Sequence, residues 1–225
     1  SDTSAYFANN KAAVINATIS LYSHCTLKIR EDKIIILNSI DLNDKIEFNN
    51  IEELLMYKGK FSLIQSVINA IKPTFGFELY IHSDFPMSSG LGGSAVVTSS
   101  ILGCFNQFRF DKWDKHDISE IAFQAERLHL GVAGGWQDQY ATVFGGFNFM
   151  EFTKNENVIN PLRISEDILN ELASDGEVTA EEVQNLADAL SEDGKLTNAE
   201  KLNNPLIKEE TKIPNNNVHI LNKES

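Results

Sequence analysis

The chain has 225 residues, 42% of them hydrophobic, and is therefore long enough to enclose one sizeable core. Its formal net charge of −13 argues against nucleic-acid binding, because phosphate backbones are held by clustered lysine and arginine. No apolar stretch reaches the ~20 residues of a membrane span and the first residues lack a signal-peptide pattern, so we expect a cytoplasmic protein without membrane contact. Cys25 and Cys104 have apolar neighbours and no CxxC spacing, which indicates two reduced core thiols.

The first part of the chain predicts a sheet of short strands. Three segments rich in β-branched residues are separated by polar breaks, at residues 11–20, 21–31 and 32–39. A helix is predicted from Phe61 to Lys72, where Pro73 ends it, and residues 76–82 alternate as a further strand.

The following residues predict two helices and a hairpin. From Ser94 the residues SAVVTSSILGCFNQF would place apolar or small side chains on every face of a helix, which is typical of a helix that packs on several faces. Asp117 with Glu120 has the pattern of a capping box at the start of the next helix. The predicted apolar face of this second helix, which leaves Glu126 at its edge, contains Ile118, Ile121, Ala122, Ala125 and Leu128. A hairpin is predicted around residues 154–157.

A loop of small residues, PMSSGLGGSA (Pro86–Ala95), leads into the first of these helices. Glycines let the backbone approach a ligand closely, and a helix N-terminus offers unpaired N–H groups to a phosphate. The hydroxyls of Ser89 and Ser94 add further donors, and Ser94 could instead bind a magnesium ion. The loop has neither the Walker nor the dinucleotide pattern. Its composition alone is explained equally well by a plain strand-to-helix turn with Ser94 as N-cap.

Two carboxylates, Glu126 and Asp138, lie on either side of a glycine-rich turn. If the two segments face each other, one carboxylate could bind a metal ion and the other could accept a proton from a hydroxyl. Taken singly, a glutamate at the edge of a helix is usually a solvated surface residue, and an aspartate near a helix start is commonly a cap. Gln137, Gln139 and Tyr140 surround Asp138 with uncharged hydrogen-bonding groups of the kind that bind sugar hydroxyls.

The sequence also resembles a known family. PMSSGLGGSA is similar to the second motif of the GHMP kinases, the small-molecule kinases named for galactokinase, homoserine kinase, mevalonate kinase and phosphomevalonate kinase. Within that family, NATISLYSHCTLKIRED, SSGLGGSA, GGWQDQYATVFGGFNFMEF and NPLRI most resemble the D-glycero-D-manno-heptose 7-phosphate kinases and the related fucokinases. The resemblance covers roughly residues 1 to 170. It implies an α+β fold, the ribosomal protein S5 domain 2-like lobe, in which helices pack on a mixed sheet.

The resemblance assigns the loop to the phosphates of ATP. The residues concerned are Ser88, Ser89, Gly90, Leu91, Gly92, Gly93, Ser94 and Ala95. It further implies that Ser94 and Glu126 bind Mg²⁺, and that Asp138 is the catalytic base near the acceptor hydroxyl.

Three residues are implied to bind the sugar. Asp2 matches the aspartate of an N-terminal family motif that contacts sugar hydroxyls, and Gln137 and Gln139 are further candidates for the same pocket. The implied reaction is ATP-dependent transfer of the γ-phosphoryl group to a hydroxyl, the anomeric one, of D-glycero-D-manno-heptose 7-phosphate. A fucokinase-like or other sugar kinase is one alternative, and a catalytically inactive nucleotide-binding remnant is another. The expected partner is a small sugar phosphate, and no oligomeric state is predicted.

The domain prediction separates an ATP-binding domain, residues 1–164, from an acidic helical tail, residues 165–225, that is partly flexible. Compared with the family, the chain begins inside the first motif and its tail does not resemble the ferredoxin-like second lobe. We therefore expect the N-terminal lobe with a short helical appendage in place of the second lobe. Repeats at Asp175-Gly176 and Asp193-Gly194 match part of an EF-hand loop, but they have too few carboxylates for calcium and predict short capped helices.

Overall fold

The computed structural model describes residues 12–87, 89–153 and 156–164, together with the backbone of residues 219–220. By its internal contacts the chain divides into two units, of which one contains Ser1–Pro161 and Pro214–Ser225 and the other Leu162–Ile213. All described helices and strands belong to the first unit. Apart from the backbone of residues 219–220, the predicted tail and its two repeats lie outside the described residues, so the domain prediction stays a prediction.

The described residues form eight strands and five α-helices. The strands are β1 (Ala12–Ala17), β2 (Ser23–Arg30), β3 (Ile35–Ser39), β4 (Asp44–Phe48), β5 (Gly76–Ser83), β6 (Phe147–Phe152), β7 (Asn157–Pro161) and β8 (His219–Ile220). The helices are α1 (Ile51–Met56), α2 (Ser62–Ile71), α3 (Gly93–Gln107), α4 (Lys115–Gln124) and α5 (Gln137–Phe144), and a π-helical turn, Ala125–His129, continues α4. The sequence predicted β1, β2, β3, β5, α2, α3, α4 and the β6–β7 hairpin, and it missed β4, β8, α1 and α5.

Two sheets organise this unit. The larger is mixed, with strand order β4-β3-β5-β2-β8, in which β3 runs parallel to β5 while β2 runs antiparallel to it. The smaller, β1-β6-β7, is antiparallel throughout. The large sheet buries one face, because alternate residues of β2 point inward, namely Ser23, Cys25 and Leu27. Phe77, Leu79 and Ile81 of β5 are buried in the same core.

The helices cover the buried face of the large sheet. In α2 the buried residues Ile64, Val67 and Ile68 follow helical spacing, and the helix ends at Lys72 in the left-handed conformation, directly before Pro73. The long helix α3 contacts β2, and its buried residues extend around most of its circumference, as its sequence predicted.

The start of α4 differs from the prediction. The N-cap is Asp114, whose side chain accepts the N–H of Asp117, while the Asp117 side chain accepts the N–H of Asp114. The capping box therefore lies three residues before the predicted pair of Asp117 and Glu120, since an aspartate can fill the position usually held by glutamate. At the other end, the π-helical turn has more residues per turn than an α-helix and rotates Leu128 out of the predicted apolar face, so that it is 70% exposed.

A second apolar cluster lies between α5 and the small sheet. Its fully enclosed members are Tyr140, Met150 and Phe152, and the ring of Tyr140 meets that of Phe152 edge to face. This contact fixes α5 against β6, and through β6 against β1, so the position of α5 depends on strands that are far apart in sequence.

Both cysteines are free and buried, as predicted. The Cys104 thiol donates to the backbone carbonyl of Cys25 at 3.2 Å, and burial, followed by the neighbouring Cys104, raises the pKa of the Cys25 thiol well above its ordinary value. Among the described residues, no helix combines the length and the apolar character that a membrane span requires.

Candidate active site

The glycine loop enters α3 with its backbone in the left-handed region. Gly90 has φ +79° and Gly92, the N-cap of α3, has φ +68°, a conformation that residues with a side chain rarely adopt. The first intrahelical bond runs from the N–H of Val96 to the carbonyl of Gly92, so the earlier N–H groups of the first turn have no acceptor inside the helix. The loop therefore presents a helix N-terminus to any anion that binds there.

Ser94 is not the cap of this helix. Gly92 occupies that place, no described side chain caps it, and the Oγ of Ser94 instead donates to Oε2 of Glu126 at 2.6 Å. The plain-turn explanation of the loop is therefore wrong for Ser94. The serine is exposed while its partner is buried, so the pair lies at the boundary between solvent and core.

Glu126 is buried, with 1% of its surface exposed, and is not the edge residue predicted from the helical pattern. Its carboxylate has a partner on each oxygen: Oε2 accepts from Ser94, and Oε1 accepts from Nε2 of Gln139 at 2.9 Å. The guanidinium of Arg127 lies 3.8 Å from Oε2. Burying an ionised carboxylate is costly unless hydrogen bonds and an opposite charge compensate it, and these three residues supply both.

Arg127 is in turn held by the glycine-rich turn that follows the π-helical turn. Its Nη2 donates to the carbonyl of Gly135 at 3.1 Å. A Cβ on Gly134 would lie 2.7 Å from the guanidinium carbon, so a side chain at this position would displace the guanidinium. In the sequence Arg127 is only one of four scattered basic residues, with Lys11, Arg30 and Arg163, that are candidates for binding a substrate phosphate. The structure places it beside the Glu126 carboxylate.

Asp138 lies against the loop at the point where α3 begins. It belongs to the first turn of α5, where a carboxylate also interacts favourably with the helix dipole. A Cβ on Gly92 would be 3.6 Å from Cγ of Asp138, so the aspartate packs beside the backbone of the loop. The structure therefore brings both predicted carboxylates to the N-terminus of α3, Glu126 through Ser94 and Asp138 through Gly92.

The remaining predicted residues are distributed around this pair. Ser89, Gly90 and Leu91 are exposed in the loop, while Gly93 and Ala95 belong to the first turn of α3. Gln137 is half-buried at the first position of α5. Gln139 is wholly buried and supports Glu126, so the structure places it behind the carboxylate. Asp2 and Ser88 lie outside the described residues.

The donor set at Glu126 fits a hard divalent cation such as Mg²⁺. Carboxylate and hydroxyl oxygens are the ligands that Mg²⁺ prefers, and Glu126 and Ser94 already point such oxygens at each other. The Oε1 atom of Gln139 is a buried oxygen that lacks a hydrogen-bond partner among the described residues, on the side chain that contacts Glu126. An orphaned buried acceptor of this kind is expected next to a bound cation or an ordered water.

Comparison with known protein families identifies the domain. Residues 62–146, which run from the start of α2 to the end of the glycine pair after α5, match the family described as the GHMP kinases N terminal domain. The chain carries a GHMP kinase N-terminal domain. The glycine loop, Ser94, Glu126 and Asp138 all lie inside the matched range.

Individual GHMP kinases are similar over a larger part of the chain. A D-glycero-alpha-D-manno-heptose 7-phosphate kinase from Campylobacter jejuni is 43% identical over 177 residues, which cover 76% of this chain and 52% of that protein. The crystal structure of a D-glycero-D-manno-heptose 1-phosphate kinase from Bacteroides thetaiotaomicron is 34% identical and superimposes with a TM-score of 0.69 over 76% of this chain and 57% of its own. The fold is shared with a Lactococcus lactis galactokinase complexed with galactose. That structure is 23% identical and has a TM-score of 0.59 over 68% of this chain and 42% of its own.

These comparisons confirm the predicted GHMP kinase family and its N-terminal lobe. The chain spans about half the length of the relatives it matches. The roles of single residues and the activity of the whole protein therefore remain matters for proposal.

Proposed function

We propose that the chain provides the ATP-binding and phosphoryl-transfer lobe of a sugar kinase that acts on D-glycero-D-manno-heptose 7-phosphate. The acceptor is its anomeric hydroxyl, and the phosphoryl group comes from the γ-position of ATP. The 43% identity to a heptose 7-phosphate kinase supports this acceptor. We place the protein in the cytoplasm, where ATP is available.

One observation carries the proposal. The Ser94–Glu126 contact of 2.6 Å and the packing of Asp138 on Gly92 bring a cation-binding pair and a second carboxylate together at one helix N-terminus. Phosphoryl transfer needs little covalent chemistry from the protein, because positioning and charge neutralisation supply most of the rate. A phosphate cradle, a cation site and one carboxylate are therefore sufficient.

Each part of the site has one task in this proposal. The N–H groups of the first turn of α3 bind phosphate oxygens, and the glycines on either side of Leu91 let the backbone approach them. Ser94 and Glu126 hold Mg²⁺, which when bound neutralises charge on the transferring phosphates. Arg127 and Gln139 hold the Glu126 carboxylate in its orientation, Gln139 by a hydrogen bond and Arg127 by its charge.

Asp138 completes the reaction as general base. Its carboxylate accepts the proton of the acceptor hydroxyl while the oxygen forms a bond to the γ-phosphorus and the bond between that phosphorus and ADP breaks. Gln137 and Asp2 remain candidates for the sugar hydroxyls. Gln139 is wholly buried and acts by supporting Glu126.

The test measures ADP release from ATP, Mg²⁺ and heptose 7-phosphate, with L-fucose and galactose as competing acceptors. We expect turnover with the heptose phosphate and a loss of at least ~100-fold in kcat for Asp138→Asn, with binding of a non-hydrolysable ATP analogue retained. The matched control is Asp117→Asn, which removes a carboxylate from the first turn of α4. Unchanged kcat in Asp138→Asn would remove Asp138 from the role of base.

The same assay separates the alternatives. Faster turnover with L-fucose or galactose would show that the acceptor is that sugar, and the assignment as a sugar kinase would stand. Nucleotide binding without turnover on any acceptor would support a binding function for this chain. Turnover that appears only when the chain is extended to the length of its relatives would assign catalysis to the longer protein.

A further inference from the structure

Two histidines and an aspartate meet at one end of the β2–β5 pair, and the proposed phosphoryl transfer uses none of the three. His24 of β2 lies directly opposite His82 of β5 in the antiparallel register, and Asp84 follows β5 by one residue. One ligand atom from each of the three side chains lies within 4.8 Å of the other two. The imidazole rings of the histidines are 4.6 Å apart between centroids, and Nε2 of His24 is 2.9 Å from Oδ1 of Asp84.

The backbone holds these side chains in place. Residues opposite each other in an antiparallel pair have Cβ atoms only ~4.5–5.5 Å apart on the same face, so the register itself brings the two imidazoles together. Asp84 is fixed by Tyr22 through two bonds: its N–H donates to the carbonyl of Tyr22 at 2.8 Å, and its Oδ2 accepts the N–H of Tyr22 at 3.1 Å. The second oxygen, Oδ1, faces His24.

We propose that His24, His82 and Asp84 form a binding site for a borderline divalent metal ion of the Zn²⁺ type. Two imidazole nitrogens and one carboxylate oxygen are a common ligand set for such ions, whereas Mg²⁺ and Ca²⁺ prefer oxygen alone. Ligands of a tetrahedral zinc ion lie roughly 3.4 Å apart, a spacing derived from bonds of about 2.0–2.1 Å. Small rotations of the three side chains would shorten the distances between their ligand atoms, now within 4.8 Å, to this value. A water would fill the fourth position.

The site is open to the solvent from which an ion would enter. The side chains of His24 and Asp84 are 26% and 33% exposed, so they are neither sealed in the core nor fully solvated. An ion here would tie β2 to the chain that leaves β5 shortly before the glycine loop. The simpler alternative is a metal-free hydrogen bond between His24 and Asp84, which does not require His82.

The two explanations are therefore distinguished by whether Zn²⁺ binding requires His82. The purified, metal-stripped protein is titrated with Zn²⁺ against a chromophoric chelator, and Co²⁺ is added separately to record its visible spectrum. We expect one Zn²⁺ per chain, a Co²⁺ spectrum with nitrogen ligation, and at least ~10-fold weaker Zn²⁺ binding in both His82→Ala and Asp84→Asn. The matched control is His129→Ala, a histidine in the π-helical turn that contacts Asn69 instead.

Circular dichroism establishes that each variant is folded before its affinity is compared. The absence of stoichiometric Zn²⁺ binding to the wild-type protein would overturn the proposal. Equal Zn²⁺ affinities of folded His82→Ala and His129→Ala would also overturn it and would leave the metal-free His24–Asp84 pair. Because the readout is metal binding without nucleotide or sugar, the result is independent of the kinase proposal.

Discussion

Two glutamates on one helical segment face the same neighbouring helix, and their surroundings differ. Glu120, in the regular part of α4, accepts hydrogen bonds from Tyr140 at 2.7 Å and from Asn157 at 3.0 Å, so its partners belong to α5 and β7. Glu126, in the π-helical turn, accepts from Gln139 of α5 but also from Ser94 of the glycine loop.

The difference separates a carboxylate that binds only the folded framework from one to which we assign a role in the proposed reaction. The three donors that Glu120 accepts from, which include the indole Nε1 of Trp136 at 3.3 Å, are part of the folded framework. Glu126 bonds to an exposed serine on a loop that is shaped to receive a ligand. The same residue type on the same helix therefore stabilises the fold at one end and serves the proposed chemistry at the other.

The strongest test of this comparison replaces each glutamate by its amide. Glu126→Gln keeps the shape and removes the negative charge beside Ser94, and we expect kcat to fall at least ~100-fold. Glu120→Gln should leave kcat within a few-fold of wild type and lower the melting temperature. The comparison fails if both variants lose activity to the same extent while remaining folded by circular dichroism.

A second test concerns the stability of the Glu120 end. Tyr140→Phe removes a buried hydroxyl that donates to Glu120 and accepts from Asn157, and we expect the free energy of unfolding in urea to fall by about 1–3 kcal/mol. Turnover of the folded fraction should be unchanged. A kcat loss as large as that of Glu126→Gln would place Tyr140 in the chemistry instead.

Two glycines of α3 offer a third test, one at the N-cap of the helix and one in its interior. Gly92 caps the helix at φ +68°, so Gly92→Ala should cost about 1–2 kcal/mol and raise the KM for ATP. Gly103 lies within the helix, and a Cβ there would meet nothing within 4 Å, so Gly103→Ala should stabilise the protein by about 0.5–1 kcal/mol. Urea unfolding measures both changes, and shifts of the same sign would contradict the assignment.

The smallest expected effect belongs to a third glutamate, on β5. Lys28, then the hydroxyl of Tyr80 and Arg30, hold the pKa of Glu78 below its usual value. The unfolded chain therefore binds the proton first as the pH falls, so the stabilisation is complete above about pH 4.3 and is lost as the pH drops through the lower pKa of the folded state. We expect a contribution of at most ~1 kcal/mol, because Lys28 is half-exposed and solvent screens the pair.

Unfolding free energies of wild type and Glu78→Gln between pH 7 and pH 3 measure this contribution. The two curves should converge below about pH 4.3. A difference that grows as the pH falls would have the wrong sign for a carboxylate whose pKa is lowered on folding.

The sequence predicted those features that depend on local pattern. Richness in β-branched residues located β2, alternation located β5, and the pattern ending at Pro73 located α2. The glycine loop with its family resemblance indicated which serine and which two carboxylates to examine. These three residues are the ones that the structure brings to the N-terminus of α3.

What the sequence did not predict depends on tertiary contacts. The helical pattern left Glu126 at the edge of an apolar stripe, and it is the packing of Ser94 and Gln139 on that edge that buries it. No single-sequence pattern distinguishes a π-helical turn from an α-helix, so Leu128 was placed on the wrong face. The meeting of His24 with His82 requires the register of two strands that are far apart in the chain, which periodicity does not fix.

The two buried cysteines have a practical consequence. They are the only thiols in the sequence, both are enclosed in the core, and the raised pKa of Cys25 keeps it in its unreactive protonated form. Thiol-specific dyes therefore have no accessible target on the folded protein. A cysteine introduced at Met87, which is 60% exposed just ahead of the glycine segment, can carry a single fluorophore whose emission tests the proposed nucleotide binding without any other change to the chain.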